Sequence, residues 1–259
     1  MTQQERLDFL IRWLLAESAE YGEITVPDAQ ADRRQLLRAL MNVRPPRPAS
    51  DEFLCVQDEY LQELLAERGA VRIADLAPVE PDICLWKGDI TTLAADAIVN
   101  AANSQLLGCF APCHGCIDNA IHTYAGVQLR LECARIMAAQ KNEEPAGRAK
   151  ITRAYNLPCR HVLHTVGPIV HGSVTPQNRA ELAGCYRSCL ELAAANGLKS
   201  VAFCCISTGE FHFPNQAAAE IAAETVRTWQ REHHNTVRVI FNVFKETDYD
   251  IYRNILGAH

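Results

Sequence analysis

Three thiols and an imidazole fall within eight residues of this 259-residue chain, in Cys109-Phe110-Ala111-Pro112-Cys113-His114-Gly115-Cys116. Thiolate and imidazole are the soft donors that hold zinc, which takes them tetrahedrally. The proline-containing turn folds the segment back, so that Cys109, His114 and Cys116 can converge on one ion. Three protein donors leave a fourth position open, the arrangement of a catalytic rather than a structural site. The same residues permit two other chemistries. Cys113 could close a structural site of three cysteines and one histidine, and Cys113-x-x-Cys116 has the spacing of a thiol–disulfide pair. A thioredoxin-like chain would carry that pair near its first strand-to-helix turn, in a protein roughly half this length, so the surroundings fit it poorly.

A second segment, Ile206-Ser207-Thr208-Gly209-Glu210-Phe211-His212-Phe213-Pro214, leads from an apolar strand into a helix opening at Asn215. Small residues and glycine let backbone N–H groups point at an anion, and a helix N-terminus adds the positive end of its dipole. Phe211 either lies against a sugar or anchors a plain connecting loop. Glu210 is the odd member, because a carboxylate near a diphosphate repels it unless the side chain points away. A third constellation joins Lys87-Gly88-Asp89-Ile90-Thr91 to Ala97-Ile98-Val99-Asn100-Ala101-Ala102-Asn103. Its two asparagines can donate to and accept from sugar hydroxyls, although turns use asparagine too. Asp118 and His122 lie one helical turn apart, so His122 could orient Asp118, but a structural histidine satisfies the pattern as well. The other eight cysteines sit mostly on apolar faces and read as small core residues.

The elements that must position these residues alternate. Apolar runs at Ile83–Lys87, Ala97–Asn100, Lys150–Ala154, His161–Val166, Val201–Ile206 and Val237–Phe244 are predicted strands. Helical stretches are predicted at Ile117–Ala139, Asn178–Ala195, Asn215–Glu232 and Asp248–Leu256. That alternation implies an α/β fold with a mixed or mostly parallel sheet between helices, and ligand loops at the carboxyl ends of the strands. Residues 1–80 read differently, as three helices with capping signals at Thr2 and Ser50 and stops at Pro45 and Gly69, forming a helical lid or brace. A formal net charge of −6 argues against a nucleic-acid partner and requires any phosphate to be gripped locally. No apolar run approaches about 18 residues, which excludes a spanning helix. Eleven cysteines without a leader pattern point to a reducing cytoplasm.

Taken in order and spacing, several blocks resemble the macrodomain family. They are Gly88-Asp89-Ile90, Ile98 through Asn103, Ile117-Asp118-x-x-Ile121-His122-x-x-Ala125-Gly126, Pro145-x-Gly147-x-Ala149, His164-Thr165-Val166-Gly167-Pro168 and Ser207-Thr208-Gly209-x-Phe211. The resemblance covers roughly residues 83–256 and is strongest to the branch that hydrolyses ADP-ribosyl groups. Ordinary members carry a glycine run before the Ile/Val-Asp pair. Here His114-Gly115-Cys116 interrupts it and Cys109 precedes it, which looks like the zinc-dependent subgroup with its N-terminal helical extension.

The resemblance implies a three-layer α/β/α macrodomain over residues 81–259 with a helical extension over 1–80. It implies one zinc ion per chain, held by Cys109, His114 and Cys116 beside the distal ribose of ADP-ribose. Asp89 would accept from the adenine amino group with help from the Ile90 backbone, and Asn100 and Asn103 would serve the ligand, Asn103 at the distal ribose. Ser207, Thr208, Gly209, Glu210 and Phe211 would cradle the phosphates, while Asp118, with Asn103, would act near the scissile bond. The implied activity is hydrolysis of ADP-ribose from modified proteins. A lipoyl-carrier protein modified by a sirtuin-type transferase is an implied partner. A reader without catalysis, an O-acetyl-ADP-ribose deacetylase and a structural zinc staple remain open alternatives; a pure reader has no use for an open metal position.

Overall fold

The computed structural model describes residues 1–257. Three helices come first. Helix α1 (Gln3–Ala16) opens with a full capping box, the Thr2 hydroxyl accepting from the Glu5 amide and the Glu5 carboxylate from the Thr2 amide. Helix α2 (Gln30–Val43) stops just before Pro45, as the restriction on residues preceding proline requires. Helix α3 (Asp51–Arg68) is capped by Ser50 and ends at Gly69, whose φ of 78° suits glycine. Leu7, Leu10, Ile11 and Leu14 meet Leu37, Leu40, Phe53 and Leu61 in a core of their own, which Val127 of the main body joins. The face opposite each apolar stripe carries the polar residues, the amphipathic division that lets so short a bundle bury its contacts.

Strand β1 (Val71–Arg72) pairs in parallel with β4 (Leu93–Ala94). Seven strands make the main sheet: β2 (Pro78–Glu80), β3 (Ile83–Lys87), β5 (Ala97–Ala102), β6 (Ala149–Arg153), β7 (His161–Val166), β8 (Ser200–Phe203) and β9 (Arg238–Val243). Their order is β2-β3-β9-β8-β5-β7-β6, parallel through the centre, with β2 and β6 antiparallel at the edges. Parallel neighbours require crossovers, which α4 (Ile117–Ala125), α5 (Val127–Gln140), α6 (Pro176–Ala195) and α7 (Asn215–Glu232) supply before α8 (Glu246–Leu256) ends the fold.

The alternation of strand side chains assigns the faces. Asn100 on one face of β5 meets Asp118 of α4, and Phe203 on the other face of the sheet meets Tyr186 of α6, ring centroids 4.9 Å apart. The chain is thus the expected mixed α/β sheet with helices on both faces. No helix among the described residues is long and apolar enough to cross a membrane.

Several boundaries differ by one or two residues from the sequence expectation, and two differ by more. The predicted helix Ile117–Ala139 breaks at Gly126, where φ is 97° and an added Cβ would meet the Gln57 and Gln128 side chains at 2.6 Å. The predicted strand Val201–Ile206 ends at Phe203, because the chain must turn to give Ser207 a left-handed φ of 65°. Apolar content alone does not show either break. Phe53 is fully buried and packs against Trp13, ring centroids 4.1 Å apart and planes tilted by 35°. Phe53→Ala is expected to cost about 3–5 kcal/mol in urea unfolding; a loss below about 1 kcal/mol would mean the extension does not unfold with the rest.

Candidate active site

The carboxyl ends of the central strands open on a cleft of about 930 Å³. Every residue singled out from the sequence as a site residue lines it except Asn100, which is fully buried behind Asp118.

At one end lies the loop between β5 and α4. The ligand atoms of Cys109, His114 and Cys116 all lie within 4.8 Å of one another, and Cys109 Sγ is 3.6 Å from His114 Nδ1. Zinc–sulfur and zinc–nitrogen bonds of about 2.3 and 2.1 Å at a tetrahedral angle also separate sulfur from nitrogen by about 3.6 Å, so the Cys109–His114 pair has the separation that ion requires. Burial pushes the Cys116 thiol up to about 12, opposed by the Asn119 amide that donates to its sulfur. A cation among the three donors reverses that preference, since a coordinated thiol gives up its proton. Cys113 turns out of the cluster: its φ is 54° and its thiol donates to the Gln35 carbonyl at 3.4 Å. A closed site using Cys113 therefore does not match this loop. The second imidazole nitrogen of His114 faces Glu210 Oε1 at 3.6 Å, and the Glu210 side chain is 72% exposed. Glu210 thus leaves the anion loop and reaches toward the histidine, which removes the repulsion its position implied and resembles the carboxylate partner of a metal-bound histidine.

Asp118 sits on the first turn of α4, two residues past Cys116. Its carboxyl is pushed up to about 6 by burial, against the lowering effects of the Asn100 hydrogen bond and of Arg130. Asn100 Nδ2 donates to Asp118 Oδ1 at 2.8 Å and lies 3.2 Å from His164 Nδ1. Asn103 Nδ2 stands 3.4 Å from the other Asp118 oxygen, with the Gly108 carbonyl as its nearer acceptor at 3.1 Å. Burial drives the His122 pKa well below its ordinary value, and His122 Nε2 lies 3.6 Å from Asp118 Oδ1. A neutral histidine there leaves the charge balance of the carboxyl to Arg130 and to ligand.

Mid-cleft, none of the backbone N–H groups of Ser207, Thr208, Gly209, Glu210 and Phe211 has an acceptor among the described residues. Five amides without a protein acceptor in one turn are the arrangement by which backbone dipoles hold anions. The strained φ of Ser207 is the kind of backbone cost that persists where a loop must aim its amides. Gly167 makes this possible: a Cβ there would lie 1.9 Å from Ser207 Oγ.

Asp89 marks the far end. Its Oδ1 accepts from the Thr91 amide at 2.9 Å and the Thr91 hydroxyl at 2.6 Å, and its Oδ2 accepts from Arg68 at the end of α3. Arg68 also lies over the Tyr124 ring, 3.9 Å from its centroid. Arg68, and Arg38 and Asn42 of α2, touch the site from the extension, and sequence reasoning missed all three. Each lies far from the loops in the chain, and the one local trace is a polar Asn42 beside the apolar stripe of α2.

Comparison with known proteins agrees with this geometry. Residues 99–222 match the family model described as Macro domain. The chain is 55% identical over 261 residues to a protein-ADP-ribose hydrolase of Treponema medium, covering 99% of this chain and 100% of that one. It is 48% identical over 254 residues to a protein-ADP-ribose hydrolase of Staphylococcus aureus strain MSSA476, with 97% and 95% covered. The crystal structure of a Trypanosoma brucei macrodomain in complex with ADP-ribose superposes with a TM-score of 0.67 at 33% identity, covering 89% of this chain and 97% of that one. A near full-length relation to such proteins, on the sheet and cleft described above, makes this chain a member of the macrodomain family.

Proposed function

We propose that the protein is a protein-ADP-ribosyl hydrolase of the zinc-dependent macrodomain subgroup, with one zinc ion held by Cys109, His114 and Cys116. The observation that carries the metal is the convergence of two thiols and an imidazole within 4.8 Å of one another beside the buried carboxyl of Asp118, two residues from Cys116. The activity rests on the relatives named protein-ADP-ribose hydrolase and on a cleft with an anion cradle at its centre.

In this reading Asp89 accepts from the adenine amino group, its carboxylate held in place by Thr91 and Arg68. The five amides of Ser207–Phe211 take the diphosphate, which explains how a chain of net charge −6 holds such a ligand. The distal ribose then lies between Asn103, Asp118 and the three soft donors. When bound, zinc would supply Lewis acidity and a fixed positive charge at that sugar. Asp118 accepts a proton from the attacking water as the bond from the anomeric carbon to the protein side chain breaks, and the leaving side chain takes up a proton. Asn100 acts through Asp118 by holding one carboxylate oxygen, so that the other faces the cleft. The proposed substrates are ADP-ribosylated proteins, a lipoyl-carrier protein modified by a sirtuin-type transferase among them, in a reducing cytoplasm.

Release of ADP-ribose from modified carrier protein tests the reading. Turnover should fall on treatment with a strong chelator and return with zinc, and Cys116→Ala should behave like the chelated enzyme. Asp118→Ala should lower kcat by about 10²–10⁴ while leaving ADP-ribose affinity within a few-fold. Cleavage indifferent to chelation would remove the metal from the chemistry, and tight binding without any release would make the protein a reader. Gly167→Ala, which drives a methyl group into Ser207, should weaken ADP-ribose binding at least about tenfold by calorimetry, a loss of about 1.4 kcal/mol; unchanged affinity would exclude the Ser207 turn as the phosphate cradle.

A further inference from the structure

The loop that carries the three soft donors is hardly held by itself. Between Gly108 and Cys116 its one internal backbone hydrogen bond among the described residues joins the His114 amide to the Ala111 carbonyl at 3.2 Å. Its shape comes from outside, and much of it from α2. Arg38 Nη2 donates to the His114 carbonyl at 2.9 Å and to Asn119 Oδ1 at 2.7 Å, and Asn119 Nδ2 in turn donates to the Ala111 carbonyl at 3.0 Å. Asn42 Oδ1 accepts from the Cys113 amide at 2.9 Å, the residue whose left-handed φ points its own thiol away from the cluster. Asn42 Nδ2 donates to Thr123 Oγ1 at 2.9 Å, and that hydroxyl donates to the Asn119 carbonyl at 2.7 Å, which closes the circuit onto α4.

The chemistry of these two side chains points to a purpose. Asn42 is 1% exposed and Asn119 is fully buried, and buried amides cost stability unless every partner is present. Both of Asn42's partners lie outside the extension. Arg38 spends its hydrogen bonds on neutral oxygens of the loop and of α4, where a solubilising arginine would face water or a carboxylate. Neither residue is explained by the core of the three-helix bundle, which Leu37, Leu40 and Met41 of the same helix supply.

We propose that Arg38 and Asn42 are positioning residues, through which the N-terminal extension holds the Cys109–Cys116 loop in its donor-converging shape before any ion arrives. The extension is then part of the active site's construction. Its effect on metal affinity rests on the zinc reading above, whereas its effect on the loop does not.

Two measurements separate these. Hydrogen exchange in the chelator-treated protein reads the Cys113 and His114 amides, and competition with a chromophoric chelator reads zinc affinity. Arg38→Met keeps the apolar stem and removes the donors, Asn42→Ala removes the second contact, and Arg34→Met on the same helix, which among the described residues pairs with Glu67 at 3.2 Å, serves as control. In Arg38→Met and Asn42→Ala the two amides should exchange about tenfold faster or more, and zinc should bind about 10–100-fold more weakly, as for other outer-shell contacts. Steady-state release of ADP-ribose should lose kcat with KM nearly unchanged. Arg34→Met should match the wild type throughout. Should the wild type bind no zinc, the metal reading fails while the exchange comparison still decides the positioning role. Loop amides exchanging equally in wild type and both variants would overturn the proposal.

Discussion

Backbone and soft side chains in this protein are held in positions they would not take alone, and everything functional in the cleft depends on that constraint. Cys113 and Ser207 both occupy left-handed conformations, one in the donor loop and one in the anion cradle. Such conformations cost on the order of 1–3 kcal/mol each for residues with side chains. They persist because the surroundings leave no alternative: Asn42 takes the Cys113 amide, and the bare Cα of Gly167 makes room for Ser207. The sheet provides the rigid frame, and its strand ends deliver both turns to one cleft.

Charge follows the same logic. The chain is acidic overall and lines its cleft with Asp89, Asp118, Glu210 and Asp248, so an anionic ligand is not drawn in by a basic field. Each carboxylate is instead separately managed. Asp89 is tied to Arg68 and Thr91, Asp118 is buried and hydrogen-bonded by Asn100, Asp248 accepts from Asn215, and Glu210 leans out toward His114. The amides of the Ser207 turn have no acceptor among the described residues, which suits the proposed anion. Short-range dipoles suffice because they act at contact distance, where net charge matters little.

Much of this was legible in the sequence. Buried apolar runs marked six strands of the main sheet, helical spacing marked most helices, and the caps at Thr2 and Ser50 appear where their hydroxyl chemistry demands; the short strands β1, β2 and β4 carry no apolar run and were not marked. The soft donors and the glycine-containing turn announced themselves because the residues that form each are close in the chain. What stayed hidden was non-local. Nothing around Gly126 distinguishes a helix break from a tolerated glycine until Gln57 and Gln128 are seen against it. Asn100 read as a ligand contact because it ends a strand, yet strand parity turns it behind Asp118. Arg38, Asn42 and Arg68 reach the site only through the docking of the extension, which no local pattern encodes. Glu210 looked misplaced because its loop was visible and its partner across the cleft was not.

X-ray absorption at the zinc edge, on protein soaked with zinc and then with ADP-ribose, tests the metal centre most directly. Two sulfurs at about 2.3 Å, one imidazole nitrogen at about 2.1 Å and one further light atom are expected, with the light-atom shell alone altered by the ligand. Three sulfurs, or a spectrum that ADP-ribose leaves untouched, would contradict an open metal site at the sugar.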